Sequence, residues 1–124
     1  AIGVKTARRD CEVVALCGDG SFQMCLMELA TAVQHGINVK TVVFVNNYLG
    51  MVRELQDNNY DGRRTMVNLD GSPDFLKIAE AYGIKGETVR SNDSIEAAVN
   101  KMVNTDAPYL LQVMVDMNEK SLIE

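Results

Sequence analysis

The sequence predicts one α/β domain, with a mainly parallel sheet flanked by helices in three layers. Two apolar runs rich in β-branched residues are separated by a glycine-rich turn and a helical pattern. The second half of the chain repeats this alternation of strand and helix patterns, which is typical of a parallel sheet covered on both faces. A length of 124 residues suits a single domain with its own core.

In the first half, the apolar runs at 12–17 and 39–45 predict buried parallel strands. Between them, apolar residues at helical spacing, including Met24 and Met27, predict one helix over 23–34 with its apolar face in the core. Strand, helix and strand together form a βαβ unit, whose crossover is expected to be right-handed.

In the second half, Ser72 is predicted to cap a helix that has Pro73 at its first position and Asp74 in its first turn. A polar loop without clear periodicity is expected over 56–71. Further elements are predicted as a strand near 87–90, a helix at 94–103 and a strand at 109–115.

The charge and the apolar runs of the sequence argue against two classes of binding partner, nucleic acids and membranes. The formal net charge is −5 and the basic residues are scattered, so no nucleic-acid surface is expected. No apolar run is long enough to cross a bilayer, so no membrane partner is expected. A protein of this charge that binds phosphate must use backbone amides and a metal ion.

The cysteines and the histidine offer little catalytic chemistry. Cys11, Cys17 and Cys25 match neither a CxxC pair nor a zinc-site spacing, and are expected to be small buried residues in a reducing, cytoplasmic setting. The only histidine, His35, lies in the last turn of the predicted helix and has no evident partner, which argues against a histidine-centred triad.

The first chemical motif is Gly18-Asp19-Gly20-Ser21, where the first strand ends and the next helix begins. Ligands bind at the carboxyl ends of strands in open α/β sheets, and glycines there let the backbone approach a ligand closely. Asp19 offers the hard oxygen that Mg²⁺ prefers. On its own, however, such a tetrapeptide is equally typical of a plain turn.

The second motif, Asn46-Asn47, directly follows the second predicted strand. Parallel strands end at the same edge of a sheet, so Asp19 and Asn46 should emerge side by side. One carboxylate, one amide oxygen and one backbone carbonyl would suit Mg²⁺, which leaves further positions to phosphate oxygens and water. Taken alone, an asparagine pair is also a common loop start.

Together the two motifs resemble the thiamine diphosphate (ThDP) binding motif, in which GDG is followed after about two dozen residues by a pair of asparagines. Beyond these two motifs, the sequence resembles acetolactate synthase large subunits over nearly the whole chain. The stretches that carry this resemblance are 18–24, 28–31, 49–53, 72–75 and 79–83. It implies that 1–124 is a single C-terminal domain binding the diphosphate and Mg²⁺, with a ThDP-binding fold truncated at its N-terminus and cut from a longer chain.

The resemblance also implies a set of site residues. The metal ligands would be Asp19, Asn46 and the backbone carbonyl of Tyr48. Val45 then stands where the family has the first asparagine of its pair, and Asn47 is an addition. The residues implied for cofactor binding are Gly18, Asp19, Gly20, Ser21, Asn46, Tyr48, Leu49, Gly50, Met51 and Val52, the last two near the thiazolium ring and the substrate pocket.

The activity implied by the resemblance is decarboxylation of pyruvate and its ligation to a second 2-oxo acid, as in branched-chain amino-acid biosynthesis. The activating glutamate would lie on the pyrimidine-binding domain of a neighbouring subunit, so no catalytic residue is expected here and the isolated chain should be inactive. A homodimer or tetramer is implied. FAD in the full-length enzyme and a regulatory small subunit are compatible with the resemblance, but these residues do not specify them.

Several alternatives stay open. Leu55 stands where many relatives carry a tryptophan that shapes the pocket for the second substrate, so the identity of that 2-oxo acid is undetermined. The chain could belong to another ThDP-dependent decarboxylase or carboligase, or be a short subunit that pairs with a separate pyrimidine-binding subunit. From a different class, it could be a non-catalytic interaction domain that retains the fold.

Overall fold

The computed structural model of the chain describes residues 1–119, which alternate between helices and strands as the sequence predicts. In chain order the elements are α1 (Ile2–Ala7), β1 (Val14–Gly18), α2 (Asp19–Gln23), α3 (Glu28–Gln34), β2 (Lys40–Val45), α4 (Gly50–Asn59), α5 (Phe75–Ala81), β3 (Lys85–Val89), α6 (Ile95–Asn104) and β4 (Tyr109–Met114). A short 3₁₀ turn, Asn92–Ser94, leads into α6.

The four strands pair in the order β1-β2-β4-β3, and every pairing is parallel. At the carboxyl end of the sheet, Gly18 of β1 is level with Phe44 of β2, which is level with Val113 of β4. The loops that follow β1 and β2 therefore leave the sheet side by side. This arrangement is what the predicted metal site requires.

Helices cover both faces of the sheet, which confirms the predicted three-layer α/β class. Successive strand residues point to opposite faces, and the core divides accordingly. On one face, Val43 and Leu110 pack with Phe22 of α2 and Phe75 of α5, whose rings meet edge to face at 5.5 Å. On the other face, strand residues including Val42 and Leu111 pack with Ala98 and Met102 of α6.

The single helix predicted over 23–34 is wrong, because the structure has two short helices joined by a turn. Backbone hydrogen bonds between residues three apart, such as Met24 N to Ser21 O at 3.3 Å and Glu28 N to Cys25 O at 3.0 Å, tighten the chain at this corner. The apolar stripe is thereby interrupted, and Met24 and Met27 are 83% and 62% exposed instead of lying in the core. Cys25 is exposed and Cys11 and Cys17 are half-buried, so the expectation of three buried cysteines is wrong.

Two boundaries also differ from the prediction. Asp74, not Ser72, caps α5, since its carboxylate accepts hydrogen bonds from the amides of Leu76 and Lys77 at 3.0 and 3.3 Å. The predicted loop at 56–71 begins as helix, because α4 continues to Asn59. An ion pair one turn apart, between Arg53 and Asp57, supports this extension.

At the opposite end of the sheet, Lys40 is fully buried at the start of β2. Its ammonium donates hydrogen bonds to Asn38 Oδ1 at 2.6 Å, to the carbonyl of Ala107 at 2.6 Å and to the carbonyl of Thr105. Burial lowers the pKa of this ammonium, while the negative charges of Glu12 and Asp106 act in the opposite direction. Lys40 thus ties β2 to the segment that leads into β4.

No helix within residues 1–119 combines the length and apolar character needed to cross a membrane.

We expect Gly86→Ala in β3 to destabilise the protein by about 2 kcal/mol. A Cβ at this position would overlap the carbonyl oxygen of Leu110 on β4 and lie 2.9 Å from Leu76 Cδ2. Backbone cannot yield as a side chain can, so the β3–β4 pairing must shift. Denaturant titration of the variant measures the loss. Gly71→Ala is the control, since its added Cβ meets no atom of residues 1–119 within 4 Å, and it should change stability by less than about 0.5 kcal/mol. Equal effects of the two substitutions would contradict the prediction.

Candidate metal and cofactor site

The site centres on Asp19, the first residue of α2, placed directly after β1 ends. Its side chain lies in the interior, with 2% of the residue exposed. Oδ1 accepts a hydrogen bond from the amide of Gly20 at 2.8 Å, and Oδ2 accepts from the amides of Asn46 and Asn47 at 3.2 and 2.7 Å. The structure therefore brings together the two loop tips that the sequence paired.

The electrostatics of Asp19 fit a cation. Within residues 1–119 no lysine, arginine or histidine forms an ion pair with it. A carboxylate offers about four acceptor positions, and the three amides leave Oδ1 with one to spare. Burying an ionised carboxylate is costly unless an opposite charge or strong donors compensate. A hard divalent cation would supply the missing charge.

The loop after β2 turns sharply towards Asp19. Asn46 Oδ1 accepts a hydrogen bond from the amide of Tyr48 at 3.0 Å and retains a second acceptor position. Asn47 has a φ of 59°, a left-handed conformation that asparagine tolerates better than most residues. Asn47 is therefore part of the site through its backbone amide, a role that sequence reasoning missed when it treated this residue as an addition.

Gly20 allows the loop after β1 to lie close to Leu49, which follows β2. A Cβ on Gly20 would lie 2.7 Å from Leu49 Cδ2 and 3.3 Å from Leu69 Cδ1, and one on Gly50 would lie 3.5 Å from Asn46 Nδ2. Leu49 and Gly50, which the resemblance implies for cofactor binding, are thus adjacent to Gly20 and Asn46 respectively. Glycine at position 20 leaves room for this close approach of the two leucine side chains, and no positive φ is involved.

We expect Gly20→Ala to weaken cofactor binding more than it weakens the fold. The added methyl meets the ends of two leucine side chains, which can move, so the free energy of unfolding should fall by less than about 1 kcal/mol. Displacing Leu49 should lower the affinity for Mg²⁺ and ThDP by about tenfold, because small misplacements at a site are costly. Calorimetric titration and denaturant unfolding of the same samples test this. A variant with lost stability and unchanged affinity would contradict it.

The other predicted residues lie at the edge of this cluster. Gly18 precedes α2 in extended conformation, and Ser21 is exposed, with its carbonyl accepting a weak hydrogen bond from Cys25 Sγ at 3.6 Å. Met51 and Val52, at the start of α4, are 82% and 43% exposed. They form an apolar surface next to the cluster and do not contribute to its interior.

A segment that the sequence did not implicate, 67–69, supports the loop from behind. The amide of Leu49 donates to the carbonyl of Val67, and the amide of Leu69 donates to the carbonyl of Asn47, both at 2.8 Å. Tyr48 and Asn68 form an antiparallel bridge. Backbone pairing of this kind leaves no side-chain signature, so no sequence signal could have revealed it.

The donor set argues for Mg²⁺ over softer metals. Within residues 1–119 no cluster of three histidine, cysteine, aspartate or glutamate residues could hold a metal. Burial raises the pKa of the neighbouring Cys17 thiol, which keeps it neutral as a packing residue. One carboxylate with an amide and a carbonyl oxygen is a hard set, and Mg²⁺ takes few protein ligands. The residues present therefore fit a magnesium-bridged diphosphate.

The chain is similar in sequence and structure to known thiamine pyrophosphate enzymes. The family model described as "Thiamine pyrophosphate enzyme, C-terminal TPP binding domain" matches residues 1–113. The probable acetolactate synthase large subunit of Methanococcus aeolicus is 42% identical over 116 residues, covering 94% of this chain and 19% of that protein. The acetolactate synthase isozyme 2 large subunit of Escherichia coli K12 is 41% identical over 116 residues, covering 94% and 21%.

Among solved structures, the thiamine diphosphate-dependent 4-hydroxybenzoylformate decarboxylase of Rhodococcus jostii RHA1 has a similar fold, with a TM-score of 0.88 and 29% identity. The match covers 97% of this chain and 23% of that one. The chain spans about a fifth of the length of the curated relatives it matches. Thiamine pyrophosphate is another name for ThDP. The chain belongs to the family of C-terminal TPP-binding domains of thiamine pyrophosphate enzymes.

Proposed function

We propose that this chain holds the diphosphate of ThDP through Mg²⁺ in an acetolactate synthase-like enzyme, which decarboxylates pyruvate and joins the remainder to a second 2-oxo acid. The observation that carries the proposal is the buried Asp19 carboxylate, which has no ionic partner in residues 1–119 and lies against the amides of Asn46 and Asn47. Identities of about 40% to acetolactate synthase large subunits support the choice of reaction.

Each site residue has a defined task in this proposal. Asp19 supplies the negative charge for the cation, and Asn46 Oδ1 and the carbonyl of Tyr48 supply two neutral oxygens. The remaining positions around Mg²⁺ are left to phosphate oxygens and water. Gly20 keeps the backbone free of a side chain where the start of α2 meets Leu49.

The bound cofactor would supply the electron sink for decarboxylation, while the protein binds and orients it. The exposed Met51 and Val52 at the start of α4 suit contact with the thiazolium ring and the substrate. We assign no catalytic side chain to this chain and place the activating glutamate on a pyrimidine-binding domain of a neighbouring subunit, in a cytoplasmic dimer or tetramer. The 124-residue chain alone should therefore form no acetolactate from pyruvate.

A second candidate is another ThDP-dependent 2-oxo acid decarboxylase. The similarity to 4-hydroxybenzoylformate decarboxylase supports it, although the 29% identity is lower than that to the acetolactate synthases. Leu55, which is 56% exposed on α4, offers a smaller apolar surface than tryptophan would. Incubating the full-length protein with pyruvate or with an aromatic 2-oxo acid, followed by product analysis, distinguishes the two candidate functions. Formation of acetolactate supports the first candidate, and formation of an aromatic aldehyde supports the second.

Calorimetric titration of ThDP into the full-length protein that contains this chain tests the proposed function. With Mg²⁺ present we expect saturable binding, and with the metal removed by a chelator we expect binding to be lost. Saturable binding that is unaffected by the chelator would refute the magnesium site. No binding under either condition would favour a non-catalytic interaction domain.

A further inference from the structure

Arg53 is unusually enclosed for its position. It lies on α4, a helix without a single buried residue, whose neighbouring Met51 is 82% exposed. Yet the side chain of Arg53 is only 12% exposed. An arginine withdrawn this far from solvent on an open helix must be held by specific partners, since its guanidinium carries five donors and a permanent charge.

The partners of Arg53 come from three separate segments. The guanidinium carbon lies 4.8 Å from the centroid of the Tyr48 ring, a cation–π contact with the loop that follows β2. Nε lies 3.8 Å from Asp57 Oδ2, one turn further along α4. Nη1 donates to the carbonyl of Met117, and Nη2 donates to Asn118 Oδ1 at 3.3 Å, which brings in the segment after β4.

Asp57 extends this linkage to the loop that follows α4. Its carboxylate accepts two hydrogen bonds from Arg64, Nε to Oδ1 at 2.6 Å and Nη2 to Oδ2 at 2.8 Å. Gln56 binds both backbone groups of Thr65, at 3.1 and 2.9 Å. The same loop then continues into the segment 67–69 that pairs with the backbone on either side of Tyr48.

Tyr48 is therefore fixed from two directions. The segment 67–69 holds its backbone neighbours, and Arg53 holds its ring against α4 and the segment after β4. The preceding residue, Asn47, has a left-handed backbone, a conformation that surrounding contacts must maintain. These contacts set the direction of the Tyr48 carbonyl. Because Mg²⁺ demands near-ideal octahedral geometry from its ligands, a change in that direction should weaken metal binding.

We propose that Arg53 is a positioning residue, which sets the magnesium affinity of the site by fixing Tyr48 between α4 and the segment at 117–118. Arg53 need not touch the metal or the cofactor; it acts through the tyrosine whose carbonyl the proposed function assigns to Mg²⁺, and the inference rests on that assignment. Removing an outer partner of a metal ligand typically lowers metal affinity by 10- to 100-fold.

The test is the Mg²⁺ concentration that gives half-maximal ThDP binding in the full-length protein, measured for wild type, Arg53→Met and Arg53→Lys. We expect Arg53→Met to raise that concentration by about tenfold or more, with ThDP affinity at saturating Mg²⁺ close to wild type. Arg53→Lys should recover part of the loss, because a lysine keeps the charge but not the planar fork. Arg63→Met is the matched control, since Arg63 is exposed and its guanidinium donates to the nearby carbonyl of Tyr60.

A purely structural role gives a different pattern. If Arg53→Met lowers the melting temperature but leaves the magnesium requirement unchanged, the positioning role is wrong while the proposed function stands. If wild type itself shows no magnesium-dependent binding, both are wrong. Should Arg53→Met fail to fold, Arg53→Lys alone decides, because an unchanged magnesium requirement in that variant overturns the inference.

Discussion

Replacing Asp19 with asparagine should abolish magnesium-dependent retention of ThDP by the full-length protein. Asparagine has the same shape but no charge, and its amide nitrogen cannot accept hydrogen bonds, whereas both oxygens of Asp19 accept them from backbone amides. The cation would lose the one charged ligand among the three that we propose. Loss of an outer-shell partner alone costs 10- to 100-fold in metal affinity, so we expect the loss here to be at least about a hundredfold. Calorimetric titration with Mg²⁺ and ThDP measures it.

Stability measurements separate this effect from simple unfolding. Saturating Mg²⁺ and ThDP should raise the melting temperature of wild type, because a ligand that binds only the folded state stabilises it. The Asp19→Asn variant should fold but show no such rise. Asp93→Asn is the control and should behave as wild type, since Asp93 is exposed in the turn before α6. Normal cofactor affinity in Asp19→Asn would show that the metal binds elsewhere.

Lys40→Met should destabilise the protein by about 3 kcal/mol, the largest effect we expect on the fold. Methionine fills a similar volume but leaves three acceptors without their donor: Asn38 Oδ1 and the carbonyls of Thr105 and Ala107. These groups lie around a side chain that is 0% exposed, so water cannot readily replace the ammonium. Denaturant-induced unfolding of variant and wild type gives the difference in the free energy of unfolding.

Lys101→Met provides the comparison for Lys40. Lys101 is also paired, with Glu87 at 3.0 Å, but its side chain is 60% exposed. Because exposed ion pairs contribute little to stability, the free energy of unfolding of this variant should fall by no more than about 1 kcal/mol. If the two variants lose equal stability, the carbonyl cluster around Lys40 does not stabilise the sheet as we infer.

Where side-chain pattern determines local structure, the sequence was sufficient to predict the fold. The strands β2 and β4 were predicted as apolar runs and are mostly buried, whereas β1, which was also predicted to be buried, is an edge strand without a buried residue. The helix α6 was predicted because Ala98 and Met102 recur on one face. The meeting of Asp19 with the loop at Asn46 followed from strand topology alone, since parallel strands end at one edge.

Other features depend on contacts between distant residues and could not be predicted in this way. The break between α2 and α3 places Met24 outside the core, although its spacing fits a helix. Capping by Asp74 replaces capping by Ser72, whose hydroxyl instead accepts a hydrogen bond from Gln23 at 3.4 Å. The partners of Arg53 lie up to 65 residues away in the chain, and no periodic pattern in the sequence indicates them.

Crystals of the full-length protein grown with ThDP and Mn²⁺ in place of Mg²⁺ would locate the cation through its anomalous scattering. We predict one peak within coordination distance, about 2.0–2.2 Å, of Asp19 Oδ1, Asn46 Oδ1 and the carbonyl of Tyr48. A cation bound to the diphosphate but to none of these three oxygens would contradict the account.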